Sequence, residues 1–198
     1  MQFIKIAVAA ATLAALCSAN ASTVNVDFSG YAHGTALTSL NGVNFSLVGG
    51  QDAGGAPTID AFDDNGLLTN TRYAGDYPTA NILKFTFDQA VTDVSFTFDN
   101  EGYSDSGRGH SSFTAFDASG NVLDTMYDTT GSFTTYSFGD TTGIKSIEFN
   151  NGTGGTDSWW FGVHSLSAVT AVPEPTDAAL FLAGLGLVAA AARRKSKA

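Results

Sequence analysis

ILKFTFD, residues 82–88, and VSFTFD, residues 94–99, share one rhythm. Leu83, Phe85 and Phe87 alternate with Lys84 and Thr86 in the first, and Val94, Phe96 and Phe98 alternate with Ser95 and Thr97 in the second. Successive side chains of a β-strand point to opposite faces, so each stretch predicts a strand with one buried and one solvated face. The same alternation runs outward in both directions. TVNVDFSG (23–30) sets Val24, Val26 and Phe28 on one face, and GVNFSLVG (42–49) does so with Val43, Phe45 and Leu47. Further strands are predicted at 111–117, 122–127, 132–138, 144–150 and 159–169. DASGNV (117–122) separates two of these runs, and Gly120 suits the positive φ of a hairpin turn. No stretch of the same region carries an apolar stripe at the 3.6-residue helical period. About nine short strands with turn signals between them predict an all-β, antiparallel, jelly-roll-like β-sandwich, with a closed barrel as the alternative.

Phenylalanine is the predicted core-builder. Phe85, Phe87, Phe96, Phe98, Phe113, Phe138 and Phe149 fall on the apolar side of predicted strands. Each contributes on the order of 2–3 kcal/mol when buried. Such packing has to carry the fold alone, because Cys17 is the single cysteine and no disulfide is possible within the chain.

The two ends are written differently from the middle. MQFIKIAVAAATLAALCSANAS opens with Lys5, continues as an apolar run from Ile6 to Leu16, and reaches small residues at Ala19 and Ala21. This predicts a secretory signal peptide, residues 1–21, cut after Ala21 by signal peptidase. Leu16 stands where a lipoprotein signal wants a small residue before the cysteine, which argues against lipidation of Cys17. At the other end, VPEPTDAALFLAGLGLVAAAARRKSKA (172–198) has no charge between Ala178 and Ala192. As a helix that span is about 23 Å long at 1.5 Å per residue, against a hydrocarbon core of about 30 Å. A short transmembrane helix is predicted, with Arg193, Arg194, Lys195 and Lys197 reaching the cytoplasmic interface. Pro173 and Pro175 keep the preceding segment extended, in the form a processing enzyme can grip.

Val172-Pro173-Glu174-Pro175, the Ala/Leu/Gly helix and the basic tip, in that order at the end of the chain, resemble the PEP-CTERM sorting signal. Thr176-Asp177 departs from the small hydroxyl and apolar residues usual there. The resemblance implies an exosortase as partner, a precursor tethered to the inner membrane of a Gram-negative cell, and delivery to the cell surface or an exopolysaccharide matrix. A plain membrane anchor on a proline stalk is the alternative. FDNEGYSDSGRGHSSFTAFDASGNVL and WWFGVHSLSAV also resemble, loosely, domains found ahead of such tails.

Residues 22–171 make one predicted domain with seventeen acidic and four basic residues (Arg72, Lys84, Arg108, Lys145), a net charge near −13. That excludes nucleic acid and anionic membrane surfaces as natural partners. Within it, DNEGYSDSGRGH (99–110) collects Asp99, Asn100, Glu101 and Asp105 among glycines, a composition able to wrap oxygen ligands around Ca²⁺. DAFDDNG (60–66) has the same character with fewer ligands. Trp159 and Trp160 are neighbours, so in a strand one would face outward as a stacking surface for a sugar ring, enlarged by Tyr73, Tyr77 and Tyr103. Catalytic constellations are not evident: His33, His110 and His164 have no metal-ligand spacing, no GxSxG elbow occurs, and no carboxylate pair stands out. The expected function is non-enzymatic binding of extracellular polysaccharide. An adhesive domain with a protein partner, and then a hydrolase, are the alternatives.

Overall fold

The computed structural model describes residues 21–61, 66–73, 81–99, 111–129, 133–139, 141–150 and 161–170, together with Gly184 and Gly186. Among the described residues eleven strands, β1 (Thr23–Asp27), β2 (Ser39–Leu40), β3 (Val43–Val48), β4 (Ile59–Asp60), β5 (Leu67–Thr69), β6 (Ile82–Asp99), β7 (Ser112–Phe116), β8 (Val122–Tyr127), β9 (Thr134–Ser137), β10 (Ile144–Asn150) and β11 (Gly162–Thr170), pair antiparallel. They build the predicted jelly-roll-like sandwich within a unit spanning Ser22–Ala171.

The stretches at 82–88 and 94–99 differ from expectation in one respect: they belong to a single strand. β6 runs unbroken for 18 residues, because Asp88–Asp93 contains no glycine or proline to end it. Its buried positions change parity on the way. Leu83, Phe85, Phe87 and Val91 are buried in the first part, and Val94, Phe96 and Phe98 in the second. Asp93 takes φ 49° at the change. Aspartate tolerates this left-handed region better than most residues, and one residue out of step re-aims a strand's faces. Both halves therefore point into the same core while belonging to different layers.

The first half of β6 pairs with β3 and β10. β7 and β8 follow β10 to complete one layer. The second half pairs with β11 and β9, and β1 and β5 share the far side of β11. Phe149 on β10 joins the two: its ring lies 5.0 Å from Phe85 and 5.0 Å from Phe96. All seven predicted core phenylalanines are buried, joined by Phe28, Phe45 and Phe161. Gly162 is required by close packing, since a Cβ there would lie 2.7 Å from Leu67 Cβ.

The predicted hairpin is present at residues 117–122. Gly120 takes φ 83°, and the Asp117 carboxylate accepts the backbone N–H groups of Ser119 and Asn121 at 2.8 Å each. β2, β4 and β5 are the strands that pattern reasoning missed. They are two or three residues long, and Leu67–Thr69 is buried at every position, so neither shows alternation.

Candidate binding end and sorting tail

Strand register gathers at one end of the sandwich the strand ends that flank the chemistry-bearing segments of the sequence. In one layer Ile82, Asn150, Ser112 and Tyr127 lie side by side. In the other, Thr69, Gly162 and Asp99 do, with Thr134 next to Phe98. Contacts between Phe98 and Phe113 at 4.7 Å and between Phe113 and Tyr136 at 4.9 Å bring these two rows together. The strand ends bracketing residues 74–80, 100–110, 130–132 and 151–160 therefore all belong to that end.

Buried polar side chains pin those ends. Asn81 donates from Nδ2 to Asn70 O at 2.9 Å and to Asp52 Oδ2 at 2.8 Å, and its Oδ1 accepts the Asp52 N–H at 3.0 Å. Asn70 Oδ1 accepts the Phe161 N–H at 3.3 Å. Thr69 Oγ1 donates to Thr58 O at 2.9 Å, Thr58 Oγ1 to Thr71 O at 3.1 Å, and Thr71 Oγ1 to Tyr73 O at 2.7 Å. On the opposite side, the Asp128 N–H donates to Ser111 O at 2.8 Å and the Tyr136 hydroxyl donates to Asp128 Oδ1. Asn70, Asn81, Thr69, Thr71, Ser111 and Asp128 are all buried. A buried polar group left unsatisfied costs about 1–3 kcal/mol, so each bond holds its backbone in place. This is a rigid frame of the kind that positions binding loops.

Of the sequence-predicted site residues, Asp99 is the last residue of β6, half-buried and opposite Gly162. Asn100, Glu101, Tyr103, Asp105, Tyr77, Trp159 and Trp160 lie outside the described residues, as does His110. Tyr73 is 61 % exposed, with the Arg72 guanidinium 5.7 Å from its ring centre. Asp60, the first residue of the 60–66 stretch read as an oxygen-ligand loop like 99–110, is instead a buried residue of β4, with His33 Nδ1 at 3.2 Å from its carboxylate. His164 stands elsewhere, its Nδ1 3.2 Å from Gly66 O and its ring against Phe133. Among the described residues no three His, Cys, Asp or Glu side chains cluster as a metal site. Tyr127, 60 % exposed on the same rim, is an aromatic that strand reading placed without assigning it a face.

Ala19, Val172, Pro173, Glu174, Pro175, Arg193, Arg194 and Lys195 lie outside the described residues, as does the predicted transmembrane helix apart from Gly184 and Gly186, which are helical and exposed. Among the described residues no helix is long and apolar enough to cross a membrane.

Residues 171–195 match the family model of the PEP-CTERM protein-sorting motif. The tail is a PEP-CTERM sorting motif. The chain that carries it is an exported, surface-directed protein of the kind processed by an exosortase. In sequence, no curated protein matches the chain. In structure, the chain is similar to a family 29 carbohydrate binding module (TM-score 0.42, 12 % identity, 79 % of this chain and 98 % of that one). It is also similar to CBM86, a low-affinity xylan binding module from Roseburia intestinalis (0.41, 12 %, 77 % and 96 %). A third similar chain is CBM29_1 from Piromyces equi (0.39, 14 %, 78 % and 92 %).

Proposed function

We propose that this PEP-CTERM protein is a cell-surface or matrix component whose sandwich binds extracellular polysaccharide at the end described above. One observation carries the reading. The strands that bracket Tyr103, Trp159 and Trp160 converge on one rim, beside exposed Tyr73, on a frame pinned by buried Asn70 and Asn81. Aromatic rings offer the apolar C–H face of a sugar a stacking surface, and a rigid frame lowers the ordering cost of binding. The negative charge of the domain repels an anionic polymer, so such a polymer requires a bridging cation; Ca²⁺ held by Asp99, Asn100, Glu101 and Asp105 would supply it.

In the same reading, a signal peptidase removes residues 1–21 after Ala21, and residues 22–171 reach the periplasm. The helix of residues 178–192 holds the precursor in the inner membrane, with its basic tip cytoplasmic, until exosortase acts at Val172–Pro175.

The test is a panel of neutral and acidic polysaccharides probed with the released protein, in Ca²⁺ and in chelator. Binding is expected, with Trp159→Ala and Trp160→Ala together lowering it at least tenfold. Asp99→Asn with Asp105→Asn should remove only the Ca²⁺-dependent part. Retention of no polysaccharide, or equal retention by the tryptophan double variant, overturns the proposal.

A further inference from the structure

Among the described strands, β8 is hydrogen-bonded to β7 alone, so its other side is an open edge. The Asp128 N–H donates to Ser111 O. Antiparallel ladders alternate, so Met126 and Asp124 turn their backbone groups toward β7, and Tyr127 and Thr125 turn theirs outward. The edge is also apolar: Val122 is 60 % exposed, Leu123 39 % and Tyr127 60 %. Edge strands are commonly blunted by lysine or proline, and VLDTMY has neither. Asp124 stands in their place. Its Oδ1 accepts the Thr125 N–H at 2.7 Å, which occupies one of the outward donors and sets a carboxylate on the strand.

We propose that β8 is a strand-pairing edge for a second copy of this chain, held closed by Asp124. The occupant follows from the residues. Antiparallel self-pairing that extends the sheet without inverting its faces must centre on a residue opposite its own copy. Centring on Asp124 sets two carboxylates directly opposite, which is destabilising. Centring on Thr125 sets Thr125 against Thr125, Asp124 against Met126, and exposed Leu123 against exposed Tyr127 twice. That register has no like-charge pair and covers the apolar side chains. It uses the Thr125 N–H that Asp124 occupies, so removing the Asp124 carboxylate opens the edge. The net charge of each domain opposes approach, and salt screens that opposition within about 8–10 Å at physiological strength.

The experiment uses the full chain in cells, with Cys17→Ser so that an introduced thiol is the only one. Thr125→Cys reports the register, because opposed residues of a hydrogen-bonded pair lie about 5.5 Å apart, within disulfide range. Non-reducing immunoblots should show several-fold more disulfide dimer when Asp124→Ala is added. The increase should rise with salt and disappear on adding Leu123→Lys, while the total exported protein on a reducing blot stays constant. Asn44→Cys, on a strand paired on both sides, should give no such increase. No gain with Asp124→Ala, or an equal gain at Asn44→Cys, overturns the proposal.

Discussion

Phe96 and Phe149 meet edge to face across the two layers, ring centroids 5.0 Å apart and planes at 88°. Phe96 also touches Phe113 at 5.0 Å, so its ring holds the second half of β6 onto both β7 and β10. Truncation would remove burial and leave a cavity that rigid strands cannot close. Phe96→Ala should destabilise the domain by about 3–5 kcal/mol, read by denaturant unfolding of the released protein. A melting curve like that of the wild type would show that the layers are not joined there.

Asn81 acts at the rim, where the fold and the proposed binding end depend on the same hydrogen bonds. Asn81→Ala removes the buried hydrogen bonds its side chain makes to the Asn70 carbonyl and from the Asp52 backbone N–H, a cost of about 1–3 kcal/mol. Polysaccharide binding should weaken along with stability. Asn81→Asp keeps the acceptor for Asp52 N–H and loses the donor, and adds a charge beside Asp52; it should therefore be worse than alanine. A thermal midpoint higher for aspartate than for alanine would contradict the donor's role.

Acid should act through two turns. Hydrogen bonds from the Asn121 side chain and backbone hold the Asp117 carboxyl below its ordinary range. Asp27 is lowered by the Ser29 backbone N–H, then by the Ser29 hydroxyl, with a smaller contribution from the charge of His164. A carboxylate whose folded pKa is depressed adds stability above its unfolded value, near 4, and loses it as pH falls through the folded value. The thermal midpoint should thus be insensitive to these groups from pH 7 to 5 and fall below about pH 4. Asp117→Asn should lower the midpoint at pH 7 and flatten part of that acid fall. Identical acid slopes in the two proteins would remove Asp117 from the account.

The sorting tail can be tested apart from the domain. Changing Pro173 and Glu174 to alanine removes the recognisable residues of the motif and leaves the apolar sequence 178–192 unchanged. Full-length protein should then accumulate in the inner membrane, with little released, on an immunoblot using a domain antibody. Normal processing of this variant would mean that an enzyme with another specificity cuts the chain.

Local alternation was enough to place most of this fold. Val24–Phe28, Val43–Leu47 and Leu83–Phe87 alternate because each strand has one face in the core, and one-sided burial writes period two into the sequence. The strands that left no such mark are short or enclosed on both faces, as at Leu67–Thr69. Asn70, Asn81 and Asp128 read as ordinary loop polar residues, and only their burial in the folded chain gives them a framing role.

The longer strands, the phenylalanine core and the sorting tail were legible before folding, because each is encoded in neighbouring residues: an alternation, a composition, a motif in fixed order. Tertiary structure alone decided that 82–99 is one strand serving two layers, since the parity change at Asp93 has meaning only against a shared core. It also decided that Tyr73, Asp99, Ser111, Tyr127 and Phe161, far apart in the chain, belong to one rim. Antiparallel pairing sets which distant strand ends meet, and that follows from long-range hydrogen bonding and packing that no local window contains.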